Sequence, residues 1–162
     1  MQFAVSTQAK ASHAAIAEGN RWLWWIVAVL AALGICVSAI SLQRHYAKST
    51  TLFCEVGEKF NCDIVNRSEY SSLMGIPVAG IGVAGYGVLF ALATFYRRRA
   101  ETPTRLLVAA WAGLGFALYL TYVEGYVLRT WCILCLSSLG LIAGIAVMAV
   151  AIRARGRVDP RG

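Results

Sequence analysis

The chain has 162 residues, 59% of them hydrophobic and 14% charged, with a mean hydropathy of +0.63. A water-soluble domain of this length cannot keep that much apolar surface covered, so the composition excludes an ordinary soluble enzyme and indicates one membrane domain. The net charge of +7 would suit a nucleic-acid partner, but its placement along the chain argues against one.

The apolar residues collect into four stretches, Trp22–Leu42, Ile76–Tyr96, Leu106–Leu128 and Cys132–Ile152. Each is close to the ~20 residues that a helix needs to cross a bilayer. The pattern predicts an all-α integral membrane protein, a four-transmembrane-helix bundle in contact with membrane lipid. The short alternating strands of a β-barrel are not seen. Residues 1–21 read as a polar cytoplasmic tail, poorly ordered at its start. Residues 22–152 form the membrane catalytic domain, and 153–162 a basic cytoplasmic tail. Val37 and Ala39 resemble a signal cleavage site, but the apolar run from Trp22 is long for a signal peptide, so an uncleaved anchor is expected.

Residues 43–75 are too many and too polar for a tight turn. With Leu52, Phe53, Val56, Phe60, Ile64, Val65 and Leu73 set among charged residues, Ser and Asn, they predict a partly helical lid on the bundle mouth. The second stretch opens with Gly75-Ile76-Pro77, and proline suits the first turn of a helix. Gly80/Ala84 and Gly140/Gly144 stand at the four-residue spacing that lets helices approach closely in lipid. Arg129 and Thr130 leave so little room between the last two stretches that these must be antiparallel neighbours. Tyr119, Tyr122, Tyr126 and Trp131 gather near the outer edge as an interfacial belt; Tyr122 and Trp131 are also candidates to line a pocket for a flat ring.

Ten of the 15 basic residues (Lys10, Arg21, Arg97, Arg98, Arg99, Arg105, Arg153, Arg155, Arg157 and Arg161) fall on one side of this arrangement. The other side has Arg44, Lys48, Lys59, Arg67 and Arg129, offset by Glu55, Glu58, Asp63 and Glu69. The positive-inside rule puts both termini and the Arg97–Arg105 loop in the cytoplasm. The lid then faces an oxidising compartment in which disulfides persist. Ala- and Arg-rich usage leans towards a bacterial inner membrane and its periplasm.

Four of the five cysteines fall into two pairs at that outer edge. Cys132 and Cys135 form a C-x-x-C at a helix start, where the helix N-terminus stabilises the nucleophilic thiolate. Cys54 and Cys62, with seven residues between them, make a loop pair that an external thiol can reach. Cys36 stands alone in an apolar run and reads as buried packing. Two dithiols on one side of a membrane can pass a disulfide between them. The electrons then need an acceptor; no haem, flavin or nucleotide motif is present, and quinones dissolve in the bilayer. The competing reading is a metal-binding or structural membrane protein, since four thiolates suit zinc. An oxidising compartment disfavours it, and His13 and His45 flank the first span rather than joining the cysteines. No metal is expected.

The run Cys54-Glu55-Val56-Gly57, Cys62, Ser68, Gly75-Ile76-Pro77 and Trp131-Cys132-Ile133-Leu134-Cys135 resembles the vitamin K epoxide reductase family, and Tyr119-Leu120-Thr121-Tyr122-Val123-Glu124 is similar to its bacterial members. The resemblance implies a four-helix bundle around a quinone pocket. Cys132 and Cys135 would be the active-site pair, with Cys135 nearest the ring. Cys54 and Cys62 would be the shuttle pair, Cys62 attacking Cys132 and Cys54 exchanging with the partner. Ser68 stands where the family has a serine near the active site, either orienting a quinone oxygen or thiol or serving as an ordinary lid serine. Animal members carry a tyrosine where this chain has Leu139, which favours a quinone (ubiquinone, menaquinone or vitamin K type) over vitamin K epoxide. Many bacterial members carry a fused thioredoxin-like domain; none follows here, so a separate periplasmic thioredoxin-fold dithiol protein is the expected partner. The disulfide bond formation protein B family fits less well, because there the C-x-x-C follows the first span. Glu124 has two readings: a proton donor or acceptor for the quinone, or, preferred, a solvated interfacial acid paired with Arg129.

Overall fold

A computed structural model describes residues 2–46, 62, 65, 68, 71–73, 75–97 and 101–158, with backbone alone for 2–20, 73 and 156–158. Cys54 and most of the 43–75 lid lie outside the described residues. Among the described residues four long helices carry the fold: α1 (Gln2–Tyr46), α2 (Val78–Thr94), α3 (Thr102–Tyr122) and α4 (Ile133–Val158). A two-residue antiparallel hairpin, β1 (Ser72–Leu73) with β2 (Ile76–Pro77), precedes α2 and pairs Ser72 with Pro77 and Leu73 with Ile76. Gly75 sits in its turn at φ +83°, a conformation that glycine adopts without steric cost.

Three helical segments are long and apolar enough to cross a membrane: Arg21–Tyr46, Thr102–Leu128 and Ile133–Arg155. The second expected span is shorter than the sequence suggests. Ile76 and Pro77 belong to the hairpin, and Pro77, extended at ψ 130°, is the N-cap of α2 rather than part of its first turn. At 17 residues, α2 is about 26 Å long, at the lower limit for a span. The first helix departs in the opposite direction. Its backbone is helical from Gln2, where a poorly ordered tail was expected, because the proline-free, Ala-rich start has high helix propensity.

The helices pack in the order α2–α1–α4–α3, and α2 meets α3 only lightly. As the short Arg129–Thr130 connection requires, α3 and α4 are neighbours. Leu23, Trp24, Val27, Ala28 and Ala31 of α1 are buried against Ile145, Ala146, Ala149 and Ile152 of α4, joined by Tyr86, Leu89 and Ala93 of α2 and Leu106 and Ala110 of α3. The three-to-four spacing within each set is the inward stripe of a helix. The opposite faces carry exposed Trp25, Leu33, Val88, Trp111, Leu118 and Val147, which a bilayer covers. Cys36 also stands on the exposed side of α1, so the expectation that it is buried packing is corrected.

Of the glycines singled out by spacing, Gly144 lies close to Leu30, but the tightest approaches use others. Gly34 faces the Tyr86 ring and Gly82 faces Ser38, each so closely that a Cβ would collide. Gly140 faces open space and Gly80 makes only ordinary contact with Leu42. At the far end, Thr102 is buried and its hydroxyl donates to the Tyr96 carbonyl at 2.6 Å, tying the α2–α3 connection to the start of α3.

Candidate active site

The site begins where α3 stops being an α-helix. Val123–Leu128 continues it as one turn of π-helix, and Arg129 ends the turn in the left-handed region at φ 50°. The Glu124 carbonyl accepts both the Arg129 and the Thr130 N–H groups, which closes the wide turn. π turns of this kind recur at functional sites. Here the turn leaves Tyr122, Tyr126 and Val127 exposed while Val123 and Glu124 are buried.

The chain then reverses through Trp131 into Cys132, whose carbonyl accepts the first helical N–H of α4, from Leu136, at 3.0 Å. Cys132 therefore sits at the N-cap of α4 and Cys135 in its first turn. The N–H of Cys132 lies ahead of the helix and needs a partner of its own. That partner is the Glu124 carboxylate, which accepts it through Oε2 at 3.1 Å. The Cys135 thiol interacts with the same carboxylate. Glu124 is only 2% exposed. The preferred sequence reading, a solvated acid paired with Arg129, is thus corrected: the π turn rotates Glu124 inward, and among the described residues no ion pair joins the two.

The Cys132 thiol interacts with both Cys135 and Cys62. Cys62, Val65 and Cys132 are buried together, with Leu128, Leu134 and Cys135 packed against them. One cysteine of the lid pair is therefore in direct contact with the C-x-x-C. Cys36, Cys132 and Cys135 are free thiols.

Below this cluster lies a cavity of about 440 Å³ between the four helices, within the range usual for small-molecule sites. Its wall is mostly apolar: Val37, Ile81, Leu89, Phe116, Leu120 and Ile142 are among the residues that line it. Glu124, Cys135, Ser68, Tyr86, Ser138 and His45 add the polar points. The cavity reaches the bundle surface between α2 and α3, where Val88 and Ala112 both line it and are exposed. A mainly apolar slot with a few polar atoms suits a small, largely apolar molecule.

Of the other sequence candidates, Ser68 lines the cavity, but its hydroxyl donates to the Val65 carbonyl at 2.8 Å. A hydroxyl has one proton to give, and this one is committed to the lid backbone. Tyr122 and Trp131 do not line the cavity: Tyr122 is exposed and stacked on Tyr126, and the Trp131 ring lies over Gly125. Sequence reasoning missed Tyr86, whose hydroxyl bonds the carbonyl and hydroxyl of Ser138 at 2.8 and 2.9 Å, one turn beyond Cys135. It also placed His45 apart from the site. Gly34, Ser38, Ser41 and His45 recur every three or four residues along one face of α1, and that spacing was the available signal.

Among the described residues no group of three or more His, Cys, Asp or Glu side chains is arranged to hold a metal ion. Residues 20–150 match the vitamin K epoxide reductase family. That match spans the helices, the buried thiols and the cavity alike, and the chain belongs to the vitamin K epoxide reductase family, as an integral membrane oxidoreductase.

Proposed function

We propose that this protein is a quinone-dependent thiol oxidase that makes disulfides for a separate thioredoxin-fold partner in the periplasm, as a four-span protein of a bacterial inner membrane with both termini in the cytoplasm. The observation that carries the reading is the contiguity of three thiols, Cys62, Cys132 and Cys135, at the polar rim of an apolar cavity inside a membrane bundle.

The chemistry follows from thiol exchange. A partner dithiol reduces the Cys54–Cys62 disulfide and leaves oxidised. The Cys62 thiolate attacks Cys132 of a Cys132–Cys135 disulfide, forming a Cys62–Cys132 bond and releasing the Cys135 thiolate at the N-terminus of α4, where the helix dipole favours it. Cys54 then attacks Cys62, which restores the loop disulfide and frees Cys132. The Cys132–Cys135 dithiol is left holding two electrons and two protons. A quinone bound in the cavity supplies the two-electron sink. Burial of Cys132 and Cys62 keeps water and stray thiols from the exchange, while Ser68 holds the lid backbone beside it.

The test is quinone reduction by purified protein in detergent, driven by a reduced periplasmic-type dithiol protein, with Cys135→Ala alongside. Quinone-dependent oxidation of the partner that is lost in the variant supports the relay. No turnover with ubiquinone, menaquinone or vitamin K analogues, with zinc retained through purification, would replace it with the metal-binding reading.

A further inference from the structure

We propose that Glu124 is the proton acceptor of the active-site dithiol, taking the thiol protons as the Cys132–Cys135 disulfide closes and passing them into the cavity. This rests on the quinone-reductase reading above.

Glu124 is the one buried carboxylic side chain among the described residues. A buried acid at membrane depth is costly and calls for a function. Its three contacts are all with reacting groups or the place where they react. Oε2 holds the Cys132 N–H. The Cys135 thiol interacts with the carboxylate and lines the same cavity. Oε1 has no hydrogen-bond partner among the described residues, and Glu124 lines the cavity. Cys62 and Cys132 are buried together with Cys135 packed against them. An ionised carboxylate only accepts, so the thiol protons of this cluster have an acceptor in Glu124.

The proton count closes on this arrangement. Forming the disulfide breaks two S–H bonds, makes one S–S bond and releases two electrons and two protons. The electron pair goes to the quinone, which becomes quinol by gaining both protons. Glu124 takes the Cys135 proton and gives it up to the cavity. The Cys135 sulfur then takes the Cys132 proton and passes it by the same route. Glu124 ends the cycle as it began, a carboxylate.

Two measurements on the full-length protein in detergent test this. Glu124→Gln keeps an oxygen for the Cys132 N–H but is no base. In a single turnover of the reduced protein with a short-chain benzoquinone it should be slowed by about 100-fold or more, the usual worth of a positioned acid–base group, with quinone affinity within about threefold of the wild type. The second measurement uses no quinone and no variant. The infrared difference spectrum between chemically reduced and oxidised wild-type protein should show a carboxyl band, because closing the disulfide removes the Cys135 thiol proton from the surroundings of Glu124. Quinone reduction by Glu124→Gln within about threefold of the wild-type rate, or carboxyl bands identical in the two redox states, overturns the proposal; the infrared result decides if the variant does not fold. Cys135→Ala separates the two levels. If it reduces quinone normally, the quinone reading itself falls. If it is inactive while Glu124→Gln is active, only the proton role falls.

Discussion

Replacing Gly34 by alanine should destabilise the bundle through one side chain. A Cβ built on Gly34 lies 2.4 Å from two carbons of the Tyr86 ring, where ordinary contact begins at 3.4 Å. The ring must therefore move by about 1 Å, and overpacking on that scale costs about 1–3 kcal/mol. Tyr86 is not free to move. It is buried, and its hydroxyl is held to Ser138 at 2.8 and 2.9 Å. A shift of that size along the ring axis carries both bonds past hydrogen-bonding distance, at about 0.5–1.5 kcal/mol each. Alanine returns about 1 kcal/mol through its better helix propensity, so the net loss is about 1–5 kcal/mol. Reversible unfolding of the purified protein in mixed detergent measures it, with Tyr86→Phe isolating the hydroxyl contribution at about 1–2 kcal/mol. The double variant Gly34→Ala/Tyr86→Ala should lose less than the sum of its parts, since the collision is gone. If Gly34→Ala is as stable as the parent or more so, propensity has won, and the close α1–α2 contact is not what positions Tyr86.

Three further outcomes are expected. Cys54→Ala/Cys135→Ala, with neither resolving thiol present, should accumulate a Cys62–Cys132 disulfide under mild oxidant, read by peptide mass spectrometry without reduction; both cysteines staying alkylatable would count against their contact. Ser68→Ala should lower lid stability by about 1 kcal/mol, since its proton is already given to Val65, and should move the quinone KM by less than about threefold; a tenfold rise in KM would show that the hydroxyl turns to the quinone. Thr102→Val, nearly the same shape, should cost about 1 kcal/mol of unfolding free energy by deleting the bond to Tyr96, with quinone turnover unchanged because it lies at the other end of the bundle. A loss of turnover there would indicate that the two ends are coupled.

The parts of the site that chemistry alone dictates were legible in the sequence. A C-x-x-C opening an apolar helix has to place its thiols at a helix N-terminus, and the structure has Cys132 and Cys135 there. Cys62, though far along the chain, is brought to them as the pairing of dithiols suggests, while Cys54 lies outside the described residues. What was not legible depends on departures from the regular helix period. Glu124 reads as interfacial if α3 continues with 3.6 residues per turn. One turn of π-helix, for which the sequence has no clear mark, turns it inward. The contact of Gly34 with Tyr86 joins two helices across more than one intervening segment, and neither residue announces its partner. The small residues at four-residue spacing were a sound signal of close packing, and Gly144 does lie close to Leu30, but side-chain fit selected Gly34 and Gly82 for the tightest approaches.

The π turn at Val123–Leu128 also constrains how this protein can change. A π turn is an α-helix with one residue added. Losing one residue from Gly125 to Val127 would let the backbone close as ordinary α-helix with its hydrogen-bond ladder whole, and would swing everything beyond it by about 100°. The reversal into α4 would start from the wrong side of the bundle, taking Cys132 away from both the Glu124 carboxylate and the lid. The segment therefore tolerates exchange of its outward-facing side chains far better than any change in its length. Over those six residues, the number of peptide units is itself part of the catalytic apparatus.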